Sequence, residues 1–92
     1  YNDEGEIINE LQKADENFEG IIFNGGCYTH TSVAIADCIA SIKTPLVEVH
    51  ISNIHAREKF RETSLTGKYA KGVITGFGLY GYKMAIRFIV EN

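Results

Sequence analysis

The arrangement in this sequence best suited to moving a proton is a histidine at the carboxyl end of a β-branched run, with a glutamate two residues before it. The run is "PLVEVHIS", Pro45 to Ser52. In an extended chain, residues two apart share a face, so Glu48 and His50 stand side by side. A carboxylate beside an imidazole orients the ring, and an oriented histidine at a strand end is what a general acid requires.

A second concentration of hydrogen-bonding groups lies in "GIIFNGGCYTHTSVAIADCIASI", Gly20 to Ile42. A plain connection between a strand and a helix needs about two to six residues. This one carries Asn24, Gly25, Gly26, Tyr28, Thr29, His30, Thr31 and Ser32. The Asn24 amide can both donate and accept, and the two glycines let backbone N–H groups approach a ligand closely; the same residues also suit an ordinary turn. His30 precedes a helix, where the positive end of the dipole favours an anion, although a lone histidine is also common as a structural residue. Further on, Arg57 and Arg61 are spaced i, i+4 beyond His55, so one helical face could offer two guanidiniums to a carboxylate. The alternative is a solvated basic face paired with Glu58 and Glu62.

Cys27, His30, His50 and His55 fit none of the compact metal-ligand spacings, and no acidic pair completes them, so no metal is expected. "GFGLYG" has the form G-x-G-x-x-G but stands before the last helix, where glycine also serves packing; no phosphate loop follows the first strand.

These residues must be positioned by a helix, strand, helix, strand, short helix or loop, strand and helix, in that order. Asp3 followed by Glu6 resembles a capping box, and Ile7, Ile8 and Leu11 fall at helical spacing until the polar "ADENFEG". Gly20 to Phe23 is a short apolar run of the kind buried on both faces. Thr31 or Ser32 caps the next helix, in which Ile35, Cys38, Ile39 and Ile42 recur at i, i+3, i+4 and i+7. In the second strand Val47, Val49 and Ile51 share one face, and Glu48 and His50 the other. "KGVITGFG" reads as a third strand ending in glycines, and "GYKMAIRFIV" as a closing amphipathic helix.

Alternating strands and helices with short connections imply an α/β fold, an open parallel sheet with helices on both faces. Ligands bind outside the carboxyl ends of such strands. Asn24, His50, Ser52 and the glycines from Gly76 to Gly81 all fall at that edge. Three strands are few for this architecture, and the first has no strand before it, so a fragment of a larger domain is expected.

Ninety-two residues with 45% apolar content suit one small soluble domain. A net charge of -3, with nine scattered Lys and Arg, argues against nucleic acid or an anionic membrane surface as partner. No apolar run approaches the roughly eighteen residues that span a membrane, and no signal peptide is evident. Two cysteines, Cys27 and Cys38, fit reduced thiols in a cytoplasmic protein.

The segments "NGGCYTHTSVAIAD", "PLVEVHISNIHAREKFR" and "AKGVITGFGLYGYKMA" resemble the type II 3-dehydroquinate dehydratase family. That family carries N-P-G-[AG]-[YF]-[TS]-H-T-S, E-V-H-[LI]-[ST]-N-x-x-x-R-E-x-F-R and G-V-I-x-G-[FL]-G-x-x-G-Y. "NDEGEII" is similar to its S-N-x-E-G-E-[IL]-[IV]. The resemblance implies a flavodoxin-like three-layer fold and a dodecamer of trimers. The implied activity removes water from 3-dehydroquinate without metal or cofactor. It implies His50 as the general acid with Glu48 positioning it, and Asn24 and His30 binding substrate hydroxyls. The backbone N–H groups of Ile51 and Ser52 would hold the substrate carboxylate, Arg61 would contact a hydroxyl, and Asp37 would reach a neighbouring subunit's site.

Two departures from the family pattern bear on this reading. Gly25 stands where the family usually has proline, which loosens the turn. The family's N-terminal N-G-P-N-L-N-x-L-G-x-R-E-P-x-x-Y-G portion is absent, and with it the central strand, an asparagine that helps hold the enolate, and a lid bearing an arginine and the tyrosine base. The resemblance therefore implies a chain that carries the acid and the pocket but not the base. The rival expectation is a flavodoxin-like binding module without enzymatic activity, or an assembly fragment.

Overall fold

The computed structural model describes residues 3–26, 31–52 and 65–91. Helix α1 spans Glu4–Asn17 and starts as its cap predicts: the Asp3 carboxylate accepts from Gly5 N at 2.7 Å and Glu6 N at 3.4 Å. Its end differs from the expectation. The helix runs through Asn17, four residues into the polar stretch, where the Asp15 carboxylate is held by the backbone of Lys43 and Thr44.

Strand β1, Ile21–Phe23, leads towards α2, Val33–Ser41. Ser32, rather than Thr31, is the cap: its hydroxyl accepts from Ile35 N at 3.0 Å and donates to the Glu4 carboxylate, tying the starts of two helices together. Strand β2 is Leu46–His50, buried along its whole length, and ends one residue before Ile51, which is exposed. Residues 53–64 lie outside the described residues. A single 3₁₀ turn, Gly67–Tyr69, then enters β3, Gly72–Thr75, and α3, Tyr80–Glu91, closes the fold.

The three strands form one parallel sheet in the order β1-β2-β3. Ile21 pairs with Leu46 and Phe23 with Glu48; Val47 pairs with Gly72 and His50 with Thr75. Each face of the sheet buries its own cluster. On one side Ile7, Leu11, Ile35, Cys38 and Ile39 of α1 and α2 pack with Phe23 and Leu46; on the other, Val47 and Val49 pack with Ala85 of α3, flanked by Ile22, Ile74, Tyr82 and Ile89. The expected helices on both faces are thus present. Gly81 lets α3 approach, since a Cβ there would stand 3.0 Å from Val49 Cγ1. Gly76 and Gly78, with φ of 91° and 60°, make the turn between β3 and α3.

At the amino end of the sheet, the Asp15 carboxylate accepts from the backbone N–H groups of Lys43 and Thr44 at 2.9 and 2.7 Å. Those bonds, chiefly from Thr44, hold its carboxyl below the usual range. Burial, aided by the Asp15 charge, pushes the free Cys38 thiol up, so it behaves as a core residue. Among the described residues, no helix is long and apolar enough to cross a membrane.

Candidate active site

Strand alternation sends Leu46, Glu48 and His50 to the side of α1 and α2, and Val47 and Val49 to the side of α3. Glu48 is fully buried and His50 is 6% exposed. Such burial of a carboxylate is tolerated only when its oxygens are hydrogen-bonded. Both are. Glu48 Oε2 lies 2.8 Å from His50 Nε2, which donates when the carboxylate is ionised, and Oε1 accepts from the Thr66 hydroxyl.

Thr66 is itself fully buried. Sequence reasoning missed it, since it lies eighteen residues beyond Glu48 and just ahead of the 3₁₀ turn. The available signal was indirect: a buried glutamate with one histidine partner still needs a donor for its second oxygen.

Asn24 follows β1, next to the strand that carries the pair. Its Nδ2 donates to the Tyr82 hydroxyl at 3.0 Å, and its Oδ1 accepts from Gly26 N at 3.2 Å, so the side chain is fixed to both its own turn and α3. Gly26 adopts φ 57°, which a residue with a side chain rarely does. An asparagine amide has two N–H donors and two lone pairs, so these bonds use half of its capacity.

Ile51 and Ser52 are anchored through their carbonyls. Gly76 N donates to His50 O at 3.2 Å, Gly78 N to Ile51 O at 2.9 Å, and Thr75 Oγ1 to Ser52 O at 3.0 Å. The β3–α3 turn thereby fixes the peptide planes that follow His50. The fold therefore brings Asn24, Glu48, His50, Ile51 and Ser52 to one edge, as expected. Asp37 lies apart, on the exposed face of α2. His30, Arg61, Arg57 and His55 lie outside the described residues.

A groove of about 310 Å³ runs along the outer edge of β1, lined by Ile7, Leu11, Ile21, Phe23 and Asn24. Among the described residues β1 pairs with β2 alone, so this groove flanks a sheet edge.

Fold and site together define an open-sheet α/β domain with a buried, hydrogen-bonded glutamate–histidine pair at the carboxyl edge of its strands. The family model described as dehydroquinase class II matches residues 1–90, and the chain belongs to that family. It is 54% identical over 91 residues to 3-dehydroquinate dehydratase of Bacillus mycoides (strain KBAB4), covering 99% of this chain and 62% of that protein. The corresponding protein of Bacillus cereus (strain AH187) is 53% identical over the same shares. The chain thus spans 62% of the length of these curated relatives. Among solved structures, type II dehydroquinase from Butyrivibrio crossotus DSM 2876 superposes with a TM-score of 0.95 at 47% identity, over 98% of this chain and 63% of that one. The Propionibacterium acnes type II dehydroquinase gives 0.95 at 33% identity, over 100% and 68%. The fold is accordingly the flavodoxin-like α/β fold.

Proposed function

We propose that the protein carrying this chain eliminates water from 3-dehydroquinate to give 3-dehydroshikimate through an enolate, a step towards aromatic amino acids. The observation that carries this reading is the buried Glu48–His50 pair at the end of the central strand of the described sheet. Elimination β to a ketone needs a base for the α-proton, stabilisation of the enolate and an acid for the departing hydroxyl. His50 acts as that acid, and Glu48 orients the ring. Asn24 and His30 bind substrate hydroxyls, the N–H groups of Ile51 and Ser52 receive the carboxylate, and Arg61 contacts a hydroxyl. The tyrosine base and lid arginine belong to the portion of the relatives that this chain does not span. The reaction uses no cofactor.

The working form is a cytoplasmic homo-oligomer, a dodecamer of trimers in which Asp37 completes a neighbour's site. Its exposed position on α2 supports this, as do Phe77, Leu79, Tyr80 and Val90, all more than half exposed around the start and end of α3.

The test is dehydroquinate turnover, followed by the ultraviolet absorbance of the conjugated product, in the full-length protein and its His50→Ala variant. Turnover should fall by about 10² to 10⁴ fold with a modest change in affinity. A variant within about threefold of the parent would remove His50 from the acid role.

A further inference from the structure

The Glu48 carboxylate depends on a residue that the family motifs quoted above do not include. Its side chain enters the α1 and α2 side of the sheet, the side of Leu46 and of its cross-strand partner Phe23. The terminal torsion of a glutamate is broad and roughly two-fold, so packing against apolar neighbours leaves the plane of the carboxylate poorly defined. A hydrogen bond from His50 constrains one oxygen only. The Thr66 hydroxyl donates to the other, and two donors on two oxygens define the plane.

Thr66 is itself held rigidly. Its carbonyl accepts from Tyr69 N at 3.2 Å at the start of the 3₁₀ turn. Two residues past that turn, Lys71 N donates to Leu46 O at 2.7 Å, which ties the same segment to the strand bearing Glu48. Ala70 packs on the α1 and α2 cluster. The hydroxyl is therefore presented from a turn bonded to β2 at Leu46, and Thr66 has no exposed surface through which water could replace it.

We infer that Thr66 is a positioning residue of the active site: it fixes the Glu48 carboxylate so that the carboxylate can fix His50. This rests on the dehydratase reading for its kinetic consequence, but not for its structural one.

The experiment compares Thr66→Val, which keeps the shape and removes the hydroxyl, with Thr66→Ser, which keeps the hydroxyl, both in the full-length protein in its native assembly. Two readouts are taken: the proton NMR resonance of the His50 imidazole N–H, assigned by its loss in His50→Ala, and kcat and KM for 3-dehydroquinate. The hydrogen-bonded, slowly exchanging resonance should be lost in Thr66→Val and kept in Thr66→Ser. In parallel, kcat should fall by about 10- to 100-fold in Thr66→Val, the range for removing a hydrogen bond to a charged group, with KM within about twofold and Thr66→Ser close to the parent. If the resonance depends on the hydroxyl but dehydroquinate is not turned over, the positioning role stands and the dehydratase reading falls. If Thr66→Val keeps both the resonance and kcat, or if both variants lose them equally, Thr66 is a packing residue and the inference is overturned. Should Thr66→Val fail to fold, loss of the resonance in a folded Thr66→Ser protein overturns it equally.

Discussion

Asn24 Nδ2 donates to the Tyr82 hydroxyl at 3.0 Å, joining the end of β1 to α3 across 58 residues of chain. Tyr82 packs its ring against the Val47 and Val49 cluster. One side chain thus contributes both to the core and to the placement of the amide proposed to bind substrate. Tyr82→Phe keeps the ring and removes the tether. KM for 3-dehydroquinate should rise by about two- to tenfold, the range for one neutral hydrogen bond, with kcat little changed. Steady-state kinetics check this, and an unchanged KM would show that the tether does not hold Asn24 for binding.

Asp37 faces outward on α2, so the contribution to a site proposed for it would be made in another subunit. Asp37→Ala should lower turnover by about tenfold or more in the assembled protein, as expected for a lost charged contact. Sedimentation and kinetics measured together decide it. A strictly monomeric form with full activity, indifferent to this substitution, would refute the role.

Among the described residues the outer edge of β1 is unpaired and lies beside an apolar groove, a template for aggregation. Residues 1–92 expressed by themselves should be poorly soluble and inactive. Supplying the family's N-terminal portion, fused or as a separate polypeptide, should restore both properties. Light scattering and dehydroquinate turnover measure the outcome; a monodisperse 92-residue chain with turnover near that of the restored protein would contradict it.

The Asp15 clamp predicts an acid limb in stability. Its carboxyl is held below its unfolded value by hydrogen bonds to Thr44 and Lys43. The resulting stabilisation is present above the unfolded pKa, near pH 4, and is lost as pH falls through the folded pKa. Asp15→Asn keeps an acceptor oxygen and cannot titrate. The parent should therefore exceed the variant in Tm near neutral pH, and the gap should close progressively below about pH 4. Thermal unfolding across that range checks the sign.

Much of this was legible because it depends on local rules. The Asp3 and Ser32 caps follow from short side chains ahead of periodic apolar residues, and the shared face of Glu48 and His50 follows from the two-residue period of a strand. Contacts closed by tertiary structure were not. Thr66 reaches Glu48 only because the turn into β3 is stitched to β2 at Leu46, and no spacing along the chain encodes that. The length of α1 was underestimated because Asp15 reads as a helix-ending residue until its partners at Lys43 and Thr44 are seen. The last helix looked cleanly amphipathic, yet Ile86, Phe88 and Val90 are exposed on it, so apolar residues mark more than its sheet-facing side.

The alternation along β2 also sets how this protein can vary by insertion and deletion. Leu46, Glu48 and His50 face one cluster and Val47 and Val49 the other, with β2 paired on both sides. Losing or gaining one residue between Pro45 and Glu48 would turn the carboxylate and imidazole into the aliphatic contacts of α3 and present valines to the site. A change of two residues restores the facing. Viable length variants of this segment should therefore differ by even steps, and a library of random indels selected for growth without aromatic supplements would display that parity directly.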